Sequence, residues 1–419
     1  MTQSRIVRLF LAYAKIDTRS ILPRENKENL KPSSKGQGIL GNKIKNLLTA
    51  YLGVNTNQIQ DLLDGSFLVK FPASPGISNS IPHVAFAAHL DTYYGFPGQA
   101  CPIVHDYSGG DIILPHNGIV IPQSDLVGLK GKQIITADGT TLLGGDDKAG
   151  VVALILTIES LLSEKIEHGP LTFWFCVDEE VGLDVTIIPK EIIHSWDVLW
   201  TLDGERLGPI NIGCFGSHVV ELKFKGVDAH PGVQGDRLKP AHYAAATFIA
   251  RLGKEYPTPM ETSGLEAFYY AVNISGNPTN ASVLCAPRSF YQEESDQMLK
   301  VLMVTARYCA NQYGCNVEIT HKPVCINTRP AIEKRMDLIQ PGLDAHLAFG
   351  IESNLTDIRG GTDGAMINMI CPDLPAPNMG TGGKNLHGPQ EFLVIEELEQ
   401  LPIIVLDMIG RYARFSQPE

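Results

Sequence analysis

The feature that most constrains this chain is a set of short apolar runs, most of which end in acidic or imidazole side chains. Residues 66–72, 84–90, 171–177 and 198–202 are β-prone apolar stretches. Between them lie helical stretches, best seen from Ala149 to Leu162, where apolar positions recur every three or four residues. Buried strands alternating with helices predict an α/β fold in which both faces of a central mixed sheet are covered by helices. In such sheets the chemistry gathers at the carboxyl ends of the strands. His89 and Asp91 close the second run, Asp178 to Glu180 close the third, and Asp203 closes the fourth.

From about Gly216 to Thr320 the pattern changes. A strand (His218 to Lys225), a helix (Pro240 to Leu252), two strands (Phe268 to Ile274 and Ser282 to Ser289), a helix (Glu293 to Tyr313) and a strand (Asn316 to Thr320) give the order βαββαβ. This predicts a smaller α+β domain, residues 216–320, inserted into a larger one formed by 1–215 and 321–419. At 419 residues the chain is long enough for two cores. A helical segment, Ala331 to Leu347, follows the insertion, and an amphipathic helix around Ile395 to Phe415 ends the chain. The stretch from Gly95 to Gln133 is rich in Gly, Pro and Asp and reads as a long surface loop near the strand ends.

Charge removes one class of partner: 34 Lys and Arg against 46 Asp and Glu give −12, and no basic run could track a phosphate backbone, so nucleic acid is excluded. The longest apolar run, Val151 to Ile158, is far short of the ~20 residues needed to span a bilayer, and Arg8 interrupts the apolar N-terminal stretch, which predicts a helix and no membrane contact. Eight cysteines without a CxxC pair, several inside apolar runs, read as buried reduced thiols, which places the protein in the cytoplasm.

The candidate chemistry lies in five clusters: His89-Leu90-Asp91, Gly144-Gly145-Asp146-Asp147-Lys148, Asp178-Glu179-Glu180-Val181-Gly182, Leu202-Asp203-Gly204 and Leu386-His387-Gly388. Taken singly, each has an ordinary explanation, whether a rim histidine, a helix cap, a solvated charge run or an Asx turn. As a set they do not, because two adjacent acids recur at the ends of buried elements, where repulsion is costly unless a cation offsets it. Imidazole and carboxylate are ligands for divalent zinc, and two histidines with several acids suffice for two ions sharing one carboxylate.

In order and spacing these clusters, with Ala229-His230-Pro231-Gly232 and Arg359-Gly360-Gly361-Thr362-Asp363-Gly364, resemble the M20 metallopeptidases, nearest the branch of tripeptide aminopeptidases called peptidase T. Ile16-Asp17-Thr18, Thr141-Leu142-Leu143-Gly144 and Glu266-Ala267-Phe268-Tyr269 extend the resemblance from the first helix to the last. It implies that His89 and Asp203 hold one Zn2+, Glu180 and His387 hold another, and Asp146 bridges them, with Co2+ or Mn2+ as alternative native metals. It also implies a cis Asp146–Asp147 peptide. Asp91, two residues from His89, is suited to orient its imidazole. Glu179 becomes the general base that activates the attacking water. His230 matches a contact to the developing oxyanion, and Arg288 and Arg359 match positions that could grip a peptide's terminal carboxylate. The inserted domain would serve as a lid, and an exposed edge on it would let two subunits pair.

Leu183-Asp184, Glu205 and Gly388-Pro389-Gln390 depart from the family pattern beside the ligands, which bears on substrate preference more than on catalysis. The competing readings are another amidohydrolase of the same superfamily (a dipeptidase, carboxypeptidase or N-acyl amino acid deacylase) and a catalytically silent metal-binding protein.

Overall fold

A computed structural model describes residues 3–23, 25–78, 80–182, 185 and 188–415. Leu183 and Asp184 lie outside the described residues. By contacts the chain forms two compact units: Met1–Ile212 with Thr328–Thr356 and Thr362–Glu419, and Gly213–Asn327 with Asp357–Gly361. The smaller unit is therefore a few residues wider than 216–320 and takes in the segment that carries Arg359.

The larger unit is built on an eight-stranded sheet whose order, edge to edge, is Ile59–Asp61, Phe67–Phe71, Leu171–Cys176, Val84–His89, Val198–Gly204, Asn378–Gly380, Ile210–Cys214 and Leu355–Ile358. The Val84 strand runs parallel to both its neighbours, and the Phe67 strand is antiparallel to the Leu171 strand, so the sheet is mixed. Val84–His89 and Leu171–Cys176 are buried along their whole length, as the continuous apolar runs require of strands covered on both faces. Phe86 and Phe173 stack at 5.8 Å on one face.

The Gly145–Glu164 helix packs on this sheet and is apolar nearly all round, which fits its burial. Gly150 allows the contact, since a Cβ there would lie 2.4 Å from the Leu202 carbonyl oxygen. The terminal helix, Ile395–Tyr412, docks through a buried bond in which the Trp200 indole donates to the Tyr412 hydroxyl at 2.9 Å, and that hydroxyl donates to the Leu338 carbonyl.

Two expectations need correction. Residues 95–133 are not an irregular loop: Ile103–Asp106 pairs with Gln133–Thr136, which pairs with Phe392–Val394, which pairs with Gly383–Lys384. Ile112–Ile113 pairs with Val120–Ile121, and Tyr107, Leu114, Ile121, Leu126 and Leu129 bury against Phe392 and Val394 in a core of their own. These strands are too short to show a period, and the Phe392 strand that completes their sheet lies over 250 residues away from Gln133–Thr136. The helical segment read from Ala331 to Leu347 is not continuous but made of Arg329–Glu333, a 3₁₀ turn at Met336–Leu338, and Gln340–Ala348. Pro341 sits in the first turn of the last of these, where its missing N–H costs nothing, and Gly342 lies against the Trp200 ring, which a Cβ would meet at 2.4 Å.

The smaller unit is an antiparallel sheet in the order Ala271–Gly276, Asn280–Cys285, Gly216–Lys225, with Arg288–Ser289 and Asn316–Cys325 also pairing the Gly216 strand. Helices Ala241–Glu255 and Gln292–Gln312 close its core around Val220, Phe224, Phe248 and Leu302.

Candidate metal centre

His89 is the last residue of the Val84 strand, Asp203 lies near the end of the Val198 strand, and Glu179 and Glu180 follow the Leu171 strand in a 3₁₀ turn. Because these strands are parallel neighbours, all their carboxyl ends open at the same edge. Asp146 enters from the start of the Gly145–Glu164 helix, where it and Asp147 leave helical geometry and share a cis peptide. His387 comes from the loop before the Phe392 strand, with a left-handed φ of +64°.

The Asp146 carboxylate faces two imidazoles at once: Oδ1 lies 2.9 Å from His89 Nε2, and Oδ2 lies 3.0 Å from His387 Nε2. On the first side Asp203 Oδ1 is 3.4 Å from His89 Nε2; on the second, Glu180 Oε1 is 3.0 Å from His387 Nε2. Asp146, Glu180 and His387 offer atoms all within 4.8 Å of one another, and so do His89, Asp203 and Asp147. Asp147 is poorly placed to share an ion, however, because its oxygens already accept the backbone N–H groups of His89 and Gly150, each at 3.1 Å.

The charge balance favours cations here. Burial, followed by the Asp146 charge, pushes both Glu180 and Asp203 up to about 7. Burial and then the Asp203 charge hold Glu179 well above the usual carboxylate range. Burial opposes the charged form of His89, but its bonds to Asp146, Asp203 and Asp91 outweigh that and raise it well above 6.5; the same contest, won by Asp146 and Glu180, takes His387 to about 11. The fold therefore keeps protons on acids that bound cations would allow to ionise. Glu180 Oε1 is buried without a well-formed hydrogen bond although His387 Nε2 is beside it. A divalent ion in each half would satisfy this donor set.

The surroundings hold the donors in place. Asp91 was expected to orient the His89 ring; His89 Nδ1 lies 3.1 Å from the Asp91 carbonyl and 3.4 Å from its carboxylate. That carboxylate also accepts the N–H groups of Glu179 and Glu180, each at 3.1 Å, and so fixes the turn that presents both side chains.

Residues 142–410 match the model of peptidase family M20/M25/M40. The chain belongs to that family. It is 32% identical to the peptidase T of Caldanaerobacter subterraneus subsp. tengcongensis over 98% of this chain and 99% of that one. Its fold is similar to the crystal structures of a tripeptidase from Staphylococcus aureus (TM-score 0.71, 19% identity, 98% of each chain) and an aminopeptidase from Bacillus cereus (TM-score 0.70, 20% identity, 99% of each chain).

Several residues around this candidate centre escape sequence reasoning. Glu391, buried and four residues beyond His387, accepts backbone N–H groups from Leu143 and Gly144 at 2.8 Å and from Asp146 at 3.1 Å, and so clamps the turn that carries Asp146. Gln37 and Ser33 hold Asp178, whose φ of +60° opens the Glu179 turn. The buried Lys148 ammonium donates to the Ile16 carbonyl at 2.8 Å. Only the last had a signal, an ammonium immediately after two acids.

The three substrate candidates all lie in the smaller unit. His230 is an exposed turn residue whose carbonyl accepts from Val233 and Gln234. The Arg288 guanidinium donates to the Arg359 carbonyl at 3.2 Å. Arg359 donates to the Thr262 carbonyl and hydroxyl, both at 2.6 Å, and lies over the Phe268 ring at 4.9 Å.

Proposed function

We propose that this peptidase is a two-metal aminopeptidase that releases the N-terminal residue of short peptides, tripeptides above all. The observation that carries the reading is the Asp146 carboxylate, with one oxygen toward each imidazole. His89 and Asp203 would hold one ion and Glu180 and His387 the other, with zinc the expected metal and Co2+ or Mn2+ the alternatives. Two such ions, when bound, polarise the scissile carbonyl and make water a nucleophile near neutral pH.

Glu179 takes the proton from the attacking water and delivers it to the leaving amine; Asp91 supports this by holding the Glu179 backbone in register. Arg288 and His230 are the proposed contacts to the peptide's carboxylate and developing oxyanion. Arg359, with its guanidinium bound to Thr262, would shape the loop beside Arg288. The preference for tripeptides is supported by the names of the similar proteins. Eight cysteines that form no disulfide among the described residues, most of them buried, support a cytoplasmic location. The edge strand Ala271–Gly276, with Val272 and Ile274 exposed, supports pairing of two subunits, which light scattering would check.

The test is a substrate panel of tripeptides with free and acetylated N-termini, dipeptides and acylated amino acids. Free tripeptides should turn over fastest. Activity confined to acetylated substrates would replace this reading with that of a deacylase or carboxypeptidase.

A further inference from the structure

The two imidazoles of the centre are supported very differently. The His89 side chain is 1% exposed on a central strand, whereas that of His387 is 46% exposed on a loop in which both Asn385 and His387 adopt left-handed backbone conformations, with φ of +56° and +64°. A non-glycine residue in that region is held there only by its surroundings. Two contacts supply the hold. The Tyr93 ring lies flat against the His387 imidazole, with centroids 4.4 Å apart and planes within 2°, so it fixes the plane in which Nε2 points at Asp146 and Glu180. Asp125 binds the loop from the other end, its carboxylate accepting from the Asn385 amide at 2.9 Å and its carbonyl from Lys384 at 3.4 Å. Asp125 belongs to the 3₁₀ turn Gln123–Leu126 in the segment that folds around its own small core.

We infer that Tyr93 and Asp125 are positioning residues for His387, and that the small core around Leu126 exists in part to keep one half of the centre in shape. This rests on the two-metal reading. Neither residue touches an atom of the His89 half in any contact described, so their loss should weaken one ion and leave the other. Outer groups that orient a metal-bound imidazole typically contribute about 10–100-fold in metal affinity.

The test measures Zn2+ bound by the full chain across a series of buffered free-zinc concentrations, for wild type, Tyr93→Leu, Tyr93→Phe and Asp125→Ala, with thermal unfolding of each metal-free protein alongside. Wild type should take up two ions. Tyr93→Leu and Asp125→Ala should keep one ion at wild-type affinity and bind the other about 10–100-fold more weakly. Tyr93→Phe, which retains the ring, should behave as wild type. Two ions at unchanged affinity in Tyr93→Leu would overturn the inference, as would equal weakening of both. If wild type itself binds fewer than two ions, the two-metal reading fails instead. Metal-free unfolding that matches wild type assigns the weakening to the loop, and Asp125→Ala gives a second route to the answer if one variant folds poorly.

Discussion

The two halves of the centre are made by different means. His89 and Asp203 stand at the ends of adjoining strands in the middle of the sheet, and their placement follows from strand register, which one buried face after another enforces. His387 sits on a loop whose course is set by a four-stranded sheet and by side chains drawn from distant parts of the chain. Asp146 is common to both halves, and Glu391 ties its turn to the segment just beyond His387. The difference implies a rigid half that would survive most local changes and a second half that depends on a few specific contacts.

The change with the largest expected effect removes what the halves share: Asp146→Ala should abolish both zinc binding and peptide turnover, seen by metal analysis and a tripeptide assay. Next comes a change that spares the ions. Glu179→Ala should lower kcat about 10²–10⁴-fold while both ions stay bound, because it removes proton transfer without removing a ligand. Retained turnover would remove the general-base role.

A smaller effect separates the halves directly. In the metal-free protein His89→Ala leaves the buried carboxylates of Asp146 and Asp203 without their partner and should cost about 1–3 kcal/mol in denaturant unfolding. His387→Ala also takes a partner from two buried carboxylates, but at a half-exposed site that water can enter, so it should cost less than His89→Ala. Equal costs would erase the distinction.

The last effect is in pH. Glu180 and Asp203 ionise near 7 in the fold but in the ordinary carboxylate range when unfolded, so between about 4 and 7 the native state holds protons that the unfolded chain has released. Stability of the metal-free protein should therefore fall as pH rises through that window. His387, raised to about 11, contributes stability below 6.5 that is lost as pH rises further. Zinc added at pH 7 should restore more stability than zinc added at pH 5, as calorimetry would show.

The same contrast explains what could be read from sequence. The Val84, Leu171 and Val198 strands announce themselves as unbroken apolar runs, and the polar residues that end them are conspicuous for that reason. Residues 95–133 give no such signal, since two- to four-residue strands carry too few side chains to reveal an alternation and bury them against Phe392 and Val394. The helical segment read from Ala331 to Leu347 is broken between Glu333 and Gln340, before Pro341 opens the last helix and Gly342 admits the Trp200 ring. Asp91 was legible as a neighbour of His89, but its bonds to the Glu179 and Glu180 backbone depend on two strands lying side by side. Tyr93, Gln37 and Glu391 act through contacts made only in three dimensions. Arg359 was visible for the glycines that follow it, while its attachment to Thr262 was not.

The central claim is that one carboxylate joins two metal positions of unlike construction. An anomalous-scattering map of crystals grown with zinc tests it most directly. Two peaks about 3.5–4 Å apart should flank the Asp146 carboxylate, one beside His89 and Asp203, the other beside Glu180 and His387. A single peak, or two peaks that do not share Asp146, would contradict it.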